Sequence, residues 1–168
     1  MVVENRNSYN QDVIAEFRAR DGVLTGALAD TPMLLLHHIG ARSDLVRVTP
    51  LVWWPAGENA IAVLASNLGA ARHPAWYHNL LAHPTTIAEI RAETWKVHAR
   101  VAVADERRIL LGRIMASAPS AASAVGNTKR EIPVVVLDLL GRLDASFEPK
   151  GGSLALRNSS PRMTYFTS

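Results

Sequence analysis

The chain has 168 residues, no cysteine and a formal net charge of +3 at pH 7, with 18 lysines and arginines against 15 acidic residues. That length suits one domain able to bury a proper core, and the absence of cysteine excludes disulfides and thiolate metal sites. The basic excess is small and scattered and no nucleic-acid-reading motif is present, so a small acidic ligand is a better expected partner than nucleic acid.

No apolar run approaches the roughly 20 residues of a membrane span, and the polar start, Met1 to Asn10, lacks the apolar region of a signal peptide. The expectation is a cytoplasmic protein. Val13, Ile14 and Phe17 recur at helical spacing among Asp12, Glu16, Arg18 and Arg20, which predicts an amphipathic helix over Gln11–Arg20. Packing on the domain is its expected role, with peripheral membrane contact as the alternative. A loop with a brief extended piece follows over Gly22–Asp30, so residues 1–30 form a helix-and-loop lead-in.

Met33–His38 reads as a strand covered on both faces, and Val46–Trp54 as its partner, with Pro50 marking an edge or bulge. Residues 55–59 make a hairpin loop and Ala60–Ala65 returns as a strand. Thr85–Ile90 and Thr94–Val103 read as a second hairpin, because Trp95, Val97, Ala99, Val101 and Val103 alternate with polar side chains. Asp105 is a candidate cap for a helix reaching Ser117, which Pro119 ends. A small-residue segment over Ser120–Asn127 leads to a β-branched run at Ile132–Leu137, the last strand. The domain is expected to cover 31–140. Gly, Ser, Pro and Asn punctuate residues 141–168, which read as a disordered tail.

Two segments carry chemistry. Ser66-Asn67-Leu68-Gly69 turns the chain, and a short helix follows with Pro74 in its first turn and Pro84 beyond its end. On residues alone two readings stay open: Trp76 and Leu80 pack in the core while Asn79 faces water, or Trp76 and Asn79 join the turn as a ligand site. The second segment is Gly40-Ala41-Arg42-Ser43-Asp44-Leu45-Val46-Arg47. A glycine turn with free N–H groups, a hydroxyl and two guanidinium groups suits a phosphate, with a solvated turn as the alternative. His73, His78 and His83 step around a helix by fives and do not align as metal ligands, so no metal site is expected. His37 and His38, adjacent on a strand, point to opposite faces.

The string Ser66-Asn67-x-Gly69 followed by Arg72-His73-Pro74-Ala75-Trp76-Tyr77-His78-Asn79-Leu80 resembles the signature of the deazaflavin (F420)-dependent nitroreductase and F420H(2)-dependent quinone reductase family. The resemblance implies an α+β split β-barrel, like that of FMN-binding proteins, with peripheral helices. It also implies coenzyme F420, a phosphorylated, carboxylate-bearing cofactor, and a quinone-like or other conjugated small-molecule acceptor. Cofactor contacts carried over are Arg42, Ser43, Arg47, Ser66, Asn67, Leu68, Gly69, Trp76 and Asn79, with Ser66 beside the reacting acceptor oxygen as the catalytic residue. In the first loop Gly40, Ser43, Arg47, Pro50 and Leu51 match the family frame and Arg42 stands for a lysine, whereas Ala41 replaces an arginine and Asp44 a glycine. Such an exchange weakens anion binding by about 1 kcal/mol for a screened contact.

Where relatives carry tyrosines that line the acceptor pocket, this chain has Ala118, Ala121 and Ala124, which implies a wider pocket without phenolic donors. A bulky quinone therefore suits it better than a nitroimidazole. The alternative function is a non-catalytic barrel that binds F420 or an apolar ligand. Relatives occur as monomers and as dimers, so the resemblance leaves the oligomeric state open.

Overall fold

The structure is a computed structural model that describes residues 2–144, with side chains from residue 8 onward. Six strands, Met33–Ile39 (β1), Val46–Gly57 (β2), Ala60–Leu64 (β3), Thr85–Ile90 (β4), Glu93–Val101 (β5) and Val134–Leu143 (β6), form a closed barrel in the order β1-β2-β3-β6-β5-β4. Every ladder is antiparallel. With its peripheral helices this is the expected α+β split barrel.

Alternation along the strands sends Leu34, Leu36, Ile61, Val63, Val97 and Leu137 into the barrel interior. The intervening residues meet helices outside. Met33 and Leu35 pack beneath the helix Val2–Ala19 (α1), against its Val13 and Phe17. Ala62, Val134 and Val136 pack beneath Ala104–Ser117 (α3) and Pro119–Gly126 (α4). Strands buried on both faces explain the unbroken apolar runs in β1 and β6. Burial of Phe17 alone contributes about 2–3 kcal/mol to holding α1 on the barrel.

Several boundaries differ from expectation. Helix α1 begins at Val2, nine residues before Gln11, and Gly26–Leu28 forms a 3-10 turn in place of an extended piece. Pro119 ends α3 and also opens α4, because proline at the first helical position forfeits no hydrogen bond and the alanines that follow favour helix. Asp105 lies inside the first turn of α3 and Val103 holds the cap position; Asp105 and Glu106 there face the positive end of the helix dipole. Pro50 pairs with Leu35 on one side, while the β2–β3 ladder begins only at Trp53, so the proline sits where β2 has one neighbour. The last strand runs to Leu143, past the expected limit at residue 140; the expected tail from residue 145 onward lies outside the described residues.

The register fixes which loops meet. Ile39 at the end of β1 pairs with Val46 at the start of β2, and Leu64 at the end of β3 pairs with Val134 at the start of β6. Thr85 at the start of β4 pairs with His98 near the end of β5. Residues 40–45, 65–84 and 102–133 therefore share one end of the barrel. The helix Ala75–Ala82 (α2) closes this mouth, with Trp76 and Leu80 in the interior cluster.

Candidate functional site

The first wall of the mouth is the loop after β1. Gly40 N–H donates to Leu45 O at 2.9 Å, Asp44 N–H to Gly40 O at 2.9 Å, and Leu45 N–H to Ser43 Oγ. A β-carbon at Gly40 would meet Ser43 Oγ, so a side chain there would turn the folded-back serine out of its present position. Asp44 takes φ +54°, the left-handed conformation that aspartate tolerates. Ala41 N–H donates to Asn79 Oδ1 at 2.9 Å. The loop's open backbone donors are thus Arg42 and Ser43, adjacent and exposed, with the guanidinium groups of Arg42 and Arg47 in no ion pair among the described residues. Two neighbouring amides flanked by two free cations suit a phosphate or carboxylate. Gly40 and Ala41, whose N–H groups are already bonded, add none of the free donors expected of this turn.

Asn79 does not face water. It is 7% exposed and both ends of its amide are bonded: Oδ1 accepts from Ala41, and Nδ2 donates to His38 Nδ1 at 2.8 Å. His38, 3% exposed, lies 2.9 Å from Thr49 Oγ1 through Nε2. Burial first, and then the charges of Arg47 and His37, push its pKa down to about 4, so the ring is neutral at ordinary pH. Trp76, 6% exposed, packs among barrel-interior side chains. Trp76 and Asn79 therefore shape the mouth from within, and Asn79 also supports the 40–47 loop through Ala41.

The second wall is the turn after β3. Asn67, Leu68 and Gly69 have φ of +47°, +55° and +80°, three left-handed residues in succession. Gly69 also lies where a β-carbon would come 3.2 Å from Ala124 O, so its lack of a side chain lets the turn sit on α4. Leu68 is 81% exposed and Ser66 is half-buried. Asparagine tolerates this conformation, whereas for Leu68 it costs roughly 1–2 kcal/mol, and one residue braces the turn. Arg130 donates from Nε to Ala70 O at 2.8 Å and from Nη2 to Ser66 O at 2.7 Å and Ala65 O at 3.1 Å, and its Nη1 lies 2.9 Å from His73 Nδ1. His73 in turn lies against Tyr77, with ring centroids 4.9 Å apart.

The structure therefore brings Arg42, Ser43, Arg47, Ser66, Asn67, Leu68 and Gly69 to one barrel end, with Trp76 and Asn79 beneath them. The alanines behave differently from expectation. Ala121 is buried in the cluster between α3, α4 and the barrel, Ala118 packs against that cluster, and only Ala124 reaches the turn, through its backbone beside Gly69. Ala121 and Ala118 thus serve the packing of α3 and α4 on the barrel. A separate groove of about 240 Å³ lies between α2 and β5, walled by Tyr77, Leu80, Leu81, Pro84, His98 and Val101. None of the expected site residues lines it. Sequence reading missed His38 and Arg130. The first is signalled by a polar residue in an apolar strand, the second by an arginine two residues before the Ile-Pro pair that opens β6.

Residues 10–138 match the model of the F420H(2)-dependent quinone reductase family. A putative F420H(2)-dependent quinone reductase of Mycobacterium tuberculosis is 39% identical over 106 residues, covering 63% of this chain and 88% of that protein. A second protein of the same organism, named an F420H(2)-dependent quinone reductase, is 36% identical over 109 residues, covering 63% of this chain and 72% of its own length. Among solved structures, one described as an F420-H2 dependent reductase aligns with a TM-score of 0.57 at 30% identity, over 64% of this chain and 94% of that one. Another, described as a domain-swapped dimer, aligns with a TM-score of 0.59 at 28% identity, over 80% of this chain and 98% of that one.

Proposed function

This chain belongs to the F420H(2)-dependent quinone reductase family, a group of oxidoreductases, and from that membership we propose that it transfers a hydride from reduced coenzyme F420 to a quinone-like acceptor at the barrel mouth. The observation that carries the reading is the 40–47 loop, whose open Arg42 and Ser43 amides, with Arg42 and Arg47 guanidinium groups that form no ion pair among the described residues, fit the acidic groups of that cofactor. When bound, the reduced cofactor supplies the hydride.

The protein's part is binding, orientation and electrostatics. Arg42, Ser43 and Arg47 hold the anionic end. Ser66, Asn67, Leu68 and Gly69 form the opposite wall, where the exposed Leu68 side chain offers an apolar surface and keeps water from the reacting face. The Ser66 hydroxyl is the donor placed to stabilise charge developing on the acceptor oxygen. Arg130 fixes that hydroxyl's backbone through the Ser66 and Ala65 carbonyls and brings a positive charge close to it. Likeness to a domain-swapped dimer supports self-association as the assembly. The cytoplasm is the compartment proposed with this reading. No single described helix is long and apolar enough to cross a membrane.

The test is the steady-state oxidation of reduced F420 with menadione as acceptor. Turnover that falls at least about tenfold in Ser66→Ala, with the KM for reduced F420 little changed, is expected for a residue acting on the acceptor. Saturable cofactor binding without turnover across several quinones contradicts the reductase reading and leaves the binding-protein alternative.

A further inference from the structure

The loop amide bonded to Asn79 allows one arrangement of protons behind it. Ala41 N–H can only donate, so the Asn79 atom facing it is the carbonyl oxygen. Asn79 Nδ2 then points at His38 Nδ1, which must accept. The His38 proton therefore resides on Nε2, where Thr49 Oγ1 accepts it. Each link fixes the next, across four separate segments: β2, β1, α2 and the loop.

We propose that His38 is the positioning residue of the anion-binding loop, its neutral ring holding Asn79 in the one amide orientation that ties down Ala41 and so presents the open Arg42 and Ser43 amides together. This rests on the reading of that loop as the F420 site and adds the residue that organises it. Register supports the placement. His38 pairs with Arg47 across the β1–β2 ladder, so the ring and the loop's second cation enter the mouth side by side. A hydrocarbon at residue 38 leaves the buried Asn79 NH₂ without its acceptor, so the amide keeps only the Ala41 bond to hold it and that bond is loosened.

The experiment uses the full chain with His38→Leu, His38→Asn and Thr49→Val. The asparagine places Oδ1 where Nδ1 sits and keeps the acceptor; the valine removes the group that pins the tautomer. Two readouts are taken: hydrogen-exchange protection of the Ala41 amide in the protein alone, and the dissociation constant of oxidised F420 with the KM and kcat of turnover. His38→Leu is expected to lower Ala41 protection and weaken F420 binding, each about tenfold, with kcat within about twofold. Thr49→Val is expected to shift both the same way by about threefold, and His38→Asn to stay within about threefold of the parent protein.

Unchanged Ala41 protection in His38→Leu overturns the proposal. So does a His38→Asn protein as impaired as the leucine variant, since only packing would then be at stake. If His38→Leu does not fold, the ordering of the other two variants decides in the same way. A parent protein that does not bind F420 while Ala41 still responds to residue 38 overturns the cofactor reading and this proposal's ligand, and leaves the relay itself supported.

Discussion

His37 and His38 are neighbours on β1 and belong to different machines. His38 faces the barrel interior and stays neutral in a chain of uncharged groups leading to the loop. His37 faces outward, beneath α1, where its Nε2 lies 2.6 Å from Glu89 Oε1 and the same carboxylate binds Arg18 of α1 at 2.6 Å. Hydrogen bonds from His37 and Arg18 outweigh the effect of burial and hold the Glu89 carboxyl down to about 2. One strand thus uses the same residue type twice. Its inner copy serves orientation through an uncharged ring, and its outer copy bonds the carboxylate that holds a helix.

The difference is sharpest in acid. His38 has a folded-state pKa near 4 against an ordinary 6.5, so the unfolded chain takes up the proton first and stability falls as pH drops from 6.5 to 4. Glu89 has a folded-state pKa near 2 against 4.5, so its contribution is present above 4.5 and is lost as pH drops from 4.5 to 2. Urea unfolding followed from pH 7 to pH 2 is expected to show two successive losses, and F420 binding to weaken over the lower part of the first interval, as His38 begins to charge. A single loss confined to the carboxylate range would break the distinction.

Glu89→Ala separates the two networks by mutation. Removing the carboxylate leaves His37 buried without its partner and frees Arg18, which is expected to cost about 2–3 kcal/mol in urea unfolding at pH 7. F420 affinity should stay within about twofold, because nothing in the inner chain touches Glu89. An affinity loss matching the stability loss would show that the two faces of β1 are coupled.

The smallest effect is expected at the second wall, outside both networks. Leu68→Gly relieves a left-handed leucine and should raise stability by up to about 1 kcal/mol. Turnover with menadione should fall at the same time, since the exposed side chain is the one given up. A variant that loses stability would mean that Leu68 is held by contacts rather than strained.

How much of this could be read from the residues follows from the physics of each element. The strands were legible because period-two alternation and β-branched runs are local signals, and Pro50 correctly marked the stretch of β2 with a single neighbour. Helix α4 was not, because Ser and Ala over residues 119–126 write no apolar stripe and its helicity comes from Pro119 and the alanines. The two loops of the site were visible in their own sequence, as glycine, hydroxyl and arginine clusters. What holds them was invisible, since Asn79 to Ala41 spans 38 residues and Arg130 to Ser66 spans 64, and such partners are chosen by the closed barrel. The burial of Ala121 was invisible for the same reason, since only tertiary packing decides that it faces the core.

The loop at residues 40–47 is proposed to hold the anionic end of coenzyme F420. Fluorescence titration of the protein with oxidised F420, repeated on Arg47→Ala, tests it most directly. Saturable binding in the parent protein, weakened about tenfold in the variant and increasingly so at low salt, is the predicted result. Binding that the substitution leaves unchanged, or none at millimolar protein, would contradict it.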